Sequence, residues 1–331
     1  MGLPKFEYVA PKTVAKAVTI QKEGGGFLAG GTDLFVAMKH RMVTPRILID
    51  LNAISTLKKI RGDKKDGLRI GAMTTLTHIK ESRLVKKQFP ALSEIIDSVS
   101  TPQLRNMGTI GGNLCLDTRC IYYNQPLFLK KRWEPCLKIG GKVCHVVKGK
   151  DTCLSVYSGD MAAPLMALGA RVKVVGPTDT KELELKDFFT GSGIKPNILE
   201  NNEILTEIII PVLPQHSGLS YQKLRLRDTM DFPLLGVAVL VQRDGIDGRC
   251  LDFCLSIGAV TPAPLALEEA RDIMRGNTIT PKLIEEVSHV AEKNAHPVAN
   301  TAAEPRYRKQ MVLVLTKNAI LEALDRIKKA P

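Results

Sequence analysis

Between Asp117 and about Tyr157 the sequence has no sustained helical or strand period, although regular patterning flanks it on both sides. A structureless stretch of about forty residues is uncommon inside a compact domain unless something organises it. Cys120, Cys136, Cys144 and Cys153 lie in this stretch with the spacing C-x15-C-x7-C-x8-C, and Cys115 brings the total to five of the seven cysteines within 39 residues. The N-terminal MGLPKFEYVAPKTVAKAV has no continuous apolar core of the kind a secretory signal needs. The longest apolar run, Leu234 to Val241, is eight residues, whereas a membrane helix needs about 20. A cytoplasmic chain is therefore expected, and there disulfides are disfavoured. The clustered cysteines then point to metal ligation. The tight C-x2-C pairs of zinc ribbons and compact ferredoxin motifs are absent, so the spacing leaves the metal open. His145, next to Cys144, is a substitute ligand or a solvated loop histidine. Cys115, in the apolar context Asn113-Leu114-Cys115-Leu116, reads as packing. Cys250 and Cys254, four apart on one strand, are expected on the same face as core residues.

The flanks read as α and β elements. Thr13 to Gln21 is an amphipathic helix ended by Gly24, Gly25 and Gly26, and Phe27 to Ala29 is a short strand. Asp33 to Met42 is a helix and Arg46 to Asp50 a strand. Leu68 to Ala72 is a further strand, followed by a helix start at Thr74 to Thr77 and a helix over Pro90 to Val99. Beyond the Cys-rich stretch come a helix (Met161 to Leu168) and strands at Arg171 to Val175 and Glu203 to Pro211. Pro211, Pro214 and Gly218 mark a boundary. Three strands follow at Leu219 to Arg227, Leu235 to Arg243 and Leu251 to Val260, the last two joined by Asp-Gly turns. Helices at Leu265 to Arg275, Pro281 to Lys293 and Arg306 to Lys328 complete an α+β unit.

Two glycine-containing loops sit in the first part. Leu28-Ala29-Gly30-Gly31-Thr32-Asp33-Leu34 lies between a strand and a helix, where paired glycines let backbone N–H groups approach a phosphate and a helix N-terminus adds positive charge. Gly108-Thr109-Ile110-Gly111-Gly112-Asn113 could serve from the other side. Neither is a G-x-G-x-x-G fingerprint or a Walker A. Each alone reads as a structural turn sooner than as a ligand loop, but two in one domain suggest a pyrophosphate held between loops. The formal charge of +13 is concentrated as well: from Arg119 to Lys150 there are eight basic residues and one acid, Glu134. Such a patch steers an acidic partner or is a solvated face. With aromatics at 5% and no aromatic-interleaved basic motif, nucleic acid is not the expected partner.

LAGGTDL at Leu28 to Leu34 and RNMGTIGGNL at Arg105 to Leu114 resemble the two flavin-pyrophosphate loops of the FAD subunits of molybdenum hydroxylases, the xanthine dehydrogenase and carbon monoxide dehydrogenase medium-subunit family. The resemblance continues through SGDMAAPLMALGARV at Ser158 to Val172, EILTEIIIP, and YQKLRLRDTMDFPLLGVAV at Tyr221 to Val239, and so covers nearly the whole chain in family order. The Cys-rich insertion is similar to that of one branch, the β subunits of 4-hydroxybenzoyl-CoA reductases, whose four cysteines bind a [4Fe–4S] cluster. Cys120, Cys136, Cys144 and Cys153 match those ligands in number, order and spacing. Cys115 departs from the small residue usual at its position.

The resemblance implies an α+β fold. An FAD-binding domain (residues 1–215) would contain two α/β subdomains, about 1–55 and 56–215, with the insertion at about 117–157. A small C-terminal α+β domain (216–331) would carry a three-stranded antiparallel sheet plus helices. Ala29 to Leu34 and Thr109 to Asn113 would hold the FAD pyrophosphate, with Thr74, Thr101 and Asp117 near the flavin. Asp160 and Lys223 match positions that contact the flavin or its ribityl chain; their ordinary readings are a helix N-cap and a surface strand lysine. The activity implied is electron transfer from reduced ferredoxin through [4Fe–4S] and FAD. The acceptors would be [2Fe–2S] clusters in a small partner and a molybdenum cofactor in a large partner, within a dimer of heterotrimers that dehydroxylates 4-hydroxybenzoyl-CoA to benzoyl-CoA. No residue of this chain would touch that substrate. Three alternatives are an FAD subunit of another molybdenum hydroxylase, a flavin-binding protein stapled by zinc and, from charge alone, a nucleic-acid binder.

Overall fold

A computed structural model describes residues 2–21, 25–63 and 65–329. Three sheets organise it. The first is parallel, from β1 (Glu7–Val9), β2 (Gly25–Leu28) and β3 (Ile47–Asp50), in the order β1-β3-β2. Parallel neighbours need crossovers, which helices Val14–Gln21 and Leu34–Lys39 supply. Gly25 and Gly26 lie inside β2 rather than in a turn, and Gly24 is outside the described residues. The reason is crowding: a Cβ on Gly25 would sit 2.5 Å from Ile49 Cδ1. The second helix is shorter than the expected Asp33 to Met42 and ends where Arg41 takes a left-handed φ of 57°.

The second sheet is antiparallel: β4 (Ile60–Asp63), β5 (Gly67–Gly71), β6 (Arg171–Val175), β7 (Thr180–Glu184) and β8 (Ile204–Ile210), in the order β4-β5-β8-β6-β7. Central β8 is buried along its whole length, as a near-continuous apolar run requires. Its one acid, Glu207, is paired with Arg61 at 2.6 Å and Arg69 at 2.9 Å. Edge strands β4 and β7 (IRGD and TKELE) escape sequence patterning because their side chains are mostly exposed and charged, the usual protection of a sheet edge.

The third sheet comprises β9 (Ser217–Leu224), β10 (Leu235–Arg243), β11 (Cys250–Gly258) and β12 (Leu265–Ala266), antiparallel, in the order β12-β11-β10-β9. The expected three strands gain a two-residue fourth, and the helix expected from Leu265 starts at Glu268. Helix Pro305–Lys329 lays Val312, Ala319, Ile320, Ala323 and Ile327 against one face. The other face, with Leu219, Ala238 and half-buried Leu240, joins the core of the second sheet, and helix Ala162–Ala167 packs between them. Cys250 and Cys254 do not share a face. A register shift at Gln242/Arg243 leaves Leu251 unpaired, so Cys250 enters the C-terminal core while Cys254 packs on the opposite one.

Candidate functional site

The two glycine loops meet. A Cβ on Gly30 would lie 2.0 Å from the Met107 carbonyl oxygen, and one on Gly112 would lie 3.5 Å from Ala29 Cβ. Gly111 is seated on Ala72, to whose carbonyl it donates at 2.8 Å; Ile110 N donates to Thr74 O at 3.0 Å, and Leu76 N to Gly108 O at 2.9 Å. Asn52 fixes the first loop from below, its Nδ2 donating to Ala29 O at 3.0 Å. The Gly112 amide donates to Thr109 Oγ1 at 3.1 Å. The helices after the loops, Leu34–Lys39 and Ile110–Leu114, are six and five residues long. Helix dipoles that short add little, and the N–H groups of Gly108, Ile110, Gly111, Gly112 and Asn113 all donate within the protein, so backbone donors for a ligand come from the first loop. Thr32 and Leu34 stand beside it, exposed and half-buried. Thr74, also at this junction, is buried, and its hydroxyl has no hydrogen-bond partner. A closely approached backbone cradle next to an orphaned hydroxyl suits a polar, anionic ligand such as the FAD pyrophosphate.

The remaining flavin candidates divide. Thr101 caps a helical turn by accepting from Leu104 N at 3.3 Å. Asn113 faces inward: its Oδ1 accepts from Met161 N at 3.0 Å, and its carbonyl accepts from Tyr157 Oη at 2.9 Å. Asp160 and Lys223 form a buried ion pair at 2.8 Å, neither as an N-cap nor as a surface lysine. Lys223 Nζ also donates to Ser98 O at 3.0 Å and Asp231 O at 2.9 Å, so all three of its donors are engaged within the protein. Burial pushes the Asp160 carboxyl up, and the Lys223 ammonium and Tyr221 hydroxyl oppose it. The pair ties β9 to the Ser158–Met161 turn and to the segment before Thr101. Asp117 turns toward the Cys-rich segment, accepting from Lys138 Nζ at 2.7 Å and Tyr123 Oη at 3.1 Å.

Cys120, Cys136, Cys144 and Cys153 line one cavity, together with Tyr123, Lys138 and His145. Among the described residues, no three His, Cys, Asp or Glu side chains are grouped closely enough to hold a single metal ion. Burial pushes the Cys120 thiol up, opposed by the backbone N–H groups of Tyr122 and Tyr123 aimed at its sulfur. Amides directed at sulfur are a feature of iron–sulfur sites. The Cys144 sulfur accepts from Val147 N at 3.5 Å. His145 stacks with Tyr122 and has Nε2 2.7 Å from the Glu134 carbonyl oxygen. Cys115 packs on the central core, where burial pushes its thiol up to about 12.

Sequence reasoning missed the residues that join the two sites. Arg119, next to Cys120, pairs with Asp33 of the first glycine loop and lies 3.8 Å over the Phe232 ring. Asn52, Gly193 and Asn300 carry no sequence signal, because each acts through a backbone or amide contact distant in the chain.

Residues 4–213 match the family described as "FAD binding domain in molybdopterin dehydrogenase", and residues 220–323 match "CO dehydrogenase flavoprotein C-terminal domain". The nicotinate dehydrogenase FAD-subunit of Eubacterium barkeri is 27% identical over 97% of each chain. The aldehyde oxidoreductase FAD-binding subunit of Escherichia coli is 33% identical over 80% of this chain and 84% of its own. A solved structure of carbon monoxide dehydrogenase from Hydrogenophaga pseudoflava superposes with a TM-score of 0.82 at 28% identity, covering 98% of this chain and 99% of that one. The chain therefore belongs to the FAD-binding subunits of the molybdenum hydroxylases.

Proposed function

We propose that this chain is the FAD- and [4Fe–4S]-carrying subunit of a 4-hydroxybenzoyl-CoA reductase-type complex in the cytoplasm, working beside a large molybdenum-cofactor subunit and a small subunit with two [2Fe–2S] clusters. The observation that carries this reading is the shared cavity of Cys120, Cys136, Cys144 and Cys153, drawn from a segment 34 residues long. When bound, the cluster and FAD supply a relay between a reduced ferredoxin and the centres of the partner subunits. Ala29 to Leu34 would hold the FAD pyrophosphate through backbone N–H groups, with Gly108 to Asn113 closing the other side of the cradle and the Thr74 hydroxyl, which has no partner within the protein, beside them. The domains are taken as 1–215 and 216–331, with the insertion at about 117–157. The same segment exposes Leu127, Phe128, Trp133 and Ile139 among Lys131, Arg132 and Lys142. Exposed apolar and basic side chains in one segment suit an acidic electron donor.

The relatives favour a second reading equally: an FAD subunit of a complex that oxidises a heterocycle, an aldehyde or carbon monoxide and passes electrons outward. Iron, sulfide, zinc and FAD content of the anaerobically purified chain separates them. About four irons and four sulfides per FAD support the reductase-type reading. FAD with zinc or without metal refutes it.

A further inference from the structure

We propose that Asn300, in the C-terminal domain, is the positioning residue that holds the cysteine cavity open; this rests on the four cysteines being cluster ligands. The neck of the Cys-rich segment is closed by Arg119 and Val156, which exchange backbone hydrogen bonds at 2.7 and 2.8 Å. Strands paired in this way run about 5 Å apart, too close to leave a cavity between them. One step further out the arms no longer pair with each other. Asn300 stands between them: its carbonyl accepts from Ile121 N at 3.0 Å, and its Nδ2 donates to Leu154 O at 2.7 Å. Ile121 follows Cys120 and Leu154 follows Cys153, so one buried residue sets the separation of two of the four cysteines.

Asn300 is itself fixed. Its Oδ1 accepts from Arg308 Nη1 at 3.4 Å, which orients the amide so that Nδ2 faces Leu154. Arg308 is completely buried and also donates to the carbonyls of Leu234, Val298 and Ala259. A guanidinium placed this way, with carbonyl and amide oxygens as its partners, is a costly means of anchoring a chain and a rigid one. Cys153 is gripped from its other side by Gly193, whose N–H donates to Cys153 O at 3.2 Å; a Cβ there would stand 2.8 Å from the Cys153 sulfur.

The test uses the full chain purified anaerobically, wild type against Asn300→Ala and Asn300→Asp, with FAD content reporting the fold. Three quantities are read: iron per FAD, the EPR spectrum after dithionite reduction, and the rate of cluster bleaching in air. Loss of one bridging hydrogen bond predicts bleaching about fivefold faster and an altered EPR line shape at unchanged FAD. Unaltered iron, EPR and bleaching in Asn300→Ala overturn the proposal while leaving the cluster reading intact. If Asn300→Ala loses FAD too, Asn300→Asp decides, because it keeps the shape but cannot donate to Leu154; wild-type iron and bleaching there overturn the proposal. A wild-type chain that holds FAD but no iron overturns the underlying reading, and the proposal with it.

Discussion

Gly30→Ala tests the two-loop cradle at its tightest point. The added Cβ would meet the Met107 carbonyl oxygen at 2.0 Å, against a floor near 3.0 Å, and that oxygen is backbone and cannot swing aside. The loops must therefore separate by about 1 Å. An amide–phosphate hydrogen bond stretched by about 1 Å falls outside bonding range. Two such bonds to a charged group are worth about 3–6 kcal/mol together, which predicts FAD affinity lower by about two to four decades. Gly112→Ala is the contrast: its Cβ meets the Thr109 hydroxyl at 3.0 Å and Ala29 Cβ at 3.5 Å, so the neighbours need give only a few tenths of an ångström. Its affinity loss should stay under about tenfold. The assay is calorimetric titration of the flavin-free chains with FAD, alongside their thermal melts. Wild-type melting with a Gly30→Ala Kd within about threefold of wild type would refute the cradle.

Lys223→Met leaves Asp160 buried without its partner and should cost about 3–5 kcal/mol in urea melts, part of it recovered by adding Asp160→Asn. Burial already pushes the Asp160 carboxyl up, so in the variant the penalty is absent below the ordinary carboxylate range and sets in as pH rises through the raised value. The deficit should be smaller at about pH 4 than at about pH 8, and a flat deficit would contradict the assignment. Cys115 and Cys250 have thiols pushed up to about 12, and burial is the first cause of both shifts. At about pH 8 both therefore stay as thiols, and an alkylating agent should leave both intact. With any bound metal removed, labelling read by mass spectrometry should fall first on the cavity cysteines Cys120, Cys136, Cys144 and Cys153; Cys115 labelled ahead of them would contradict this.

Much of the architecture is legible in the sequence because burial writes itself into period. β8 and β10 read directly from their apolar runs, and the crossover helices read from theirs. What was lost has physical causes. Edge strands β4 and β7 carry charged side chains that carry no burial pattern. The Cys250/Cys254 alternation failed because a bulge adds a residue that no periodicity reveals. The loops were legible as glycine pairs, yet their mutual contact was not, since it lies between backbones about 80 residues apart. Lys223 illustrates the converse. Its position was identified, but its three internal acceptors, Asp160, Ser98 and Asp231, come from distant segments and could not be read locally.

The Cys-rich segment is not an independent appendage, and the reason lies in charges the sequence presents as mere surplus. Of its eight basic residues, Lys138 has a buried side chain and Arg119 a half-buried one, and both are engaged within the protein. Arg119 binds Asp33 in the first glycine loop; Lys138 binds Asp117, directly after the second loop's helix, together with the Thr118 hydroxyl and Gly193 O at 2.6 Å each. They fix the cavity of the four cysteines relative to both halves of the cradle. On the proposed relay such ties keep the spacing between the cysteine cavity and the two glycine loops constant, whereas a metal that merely stapled a surface loop would need no tie to them.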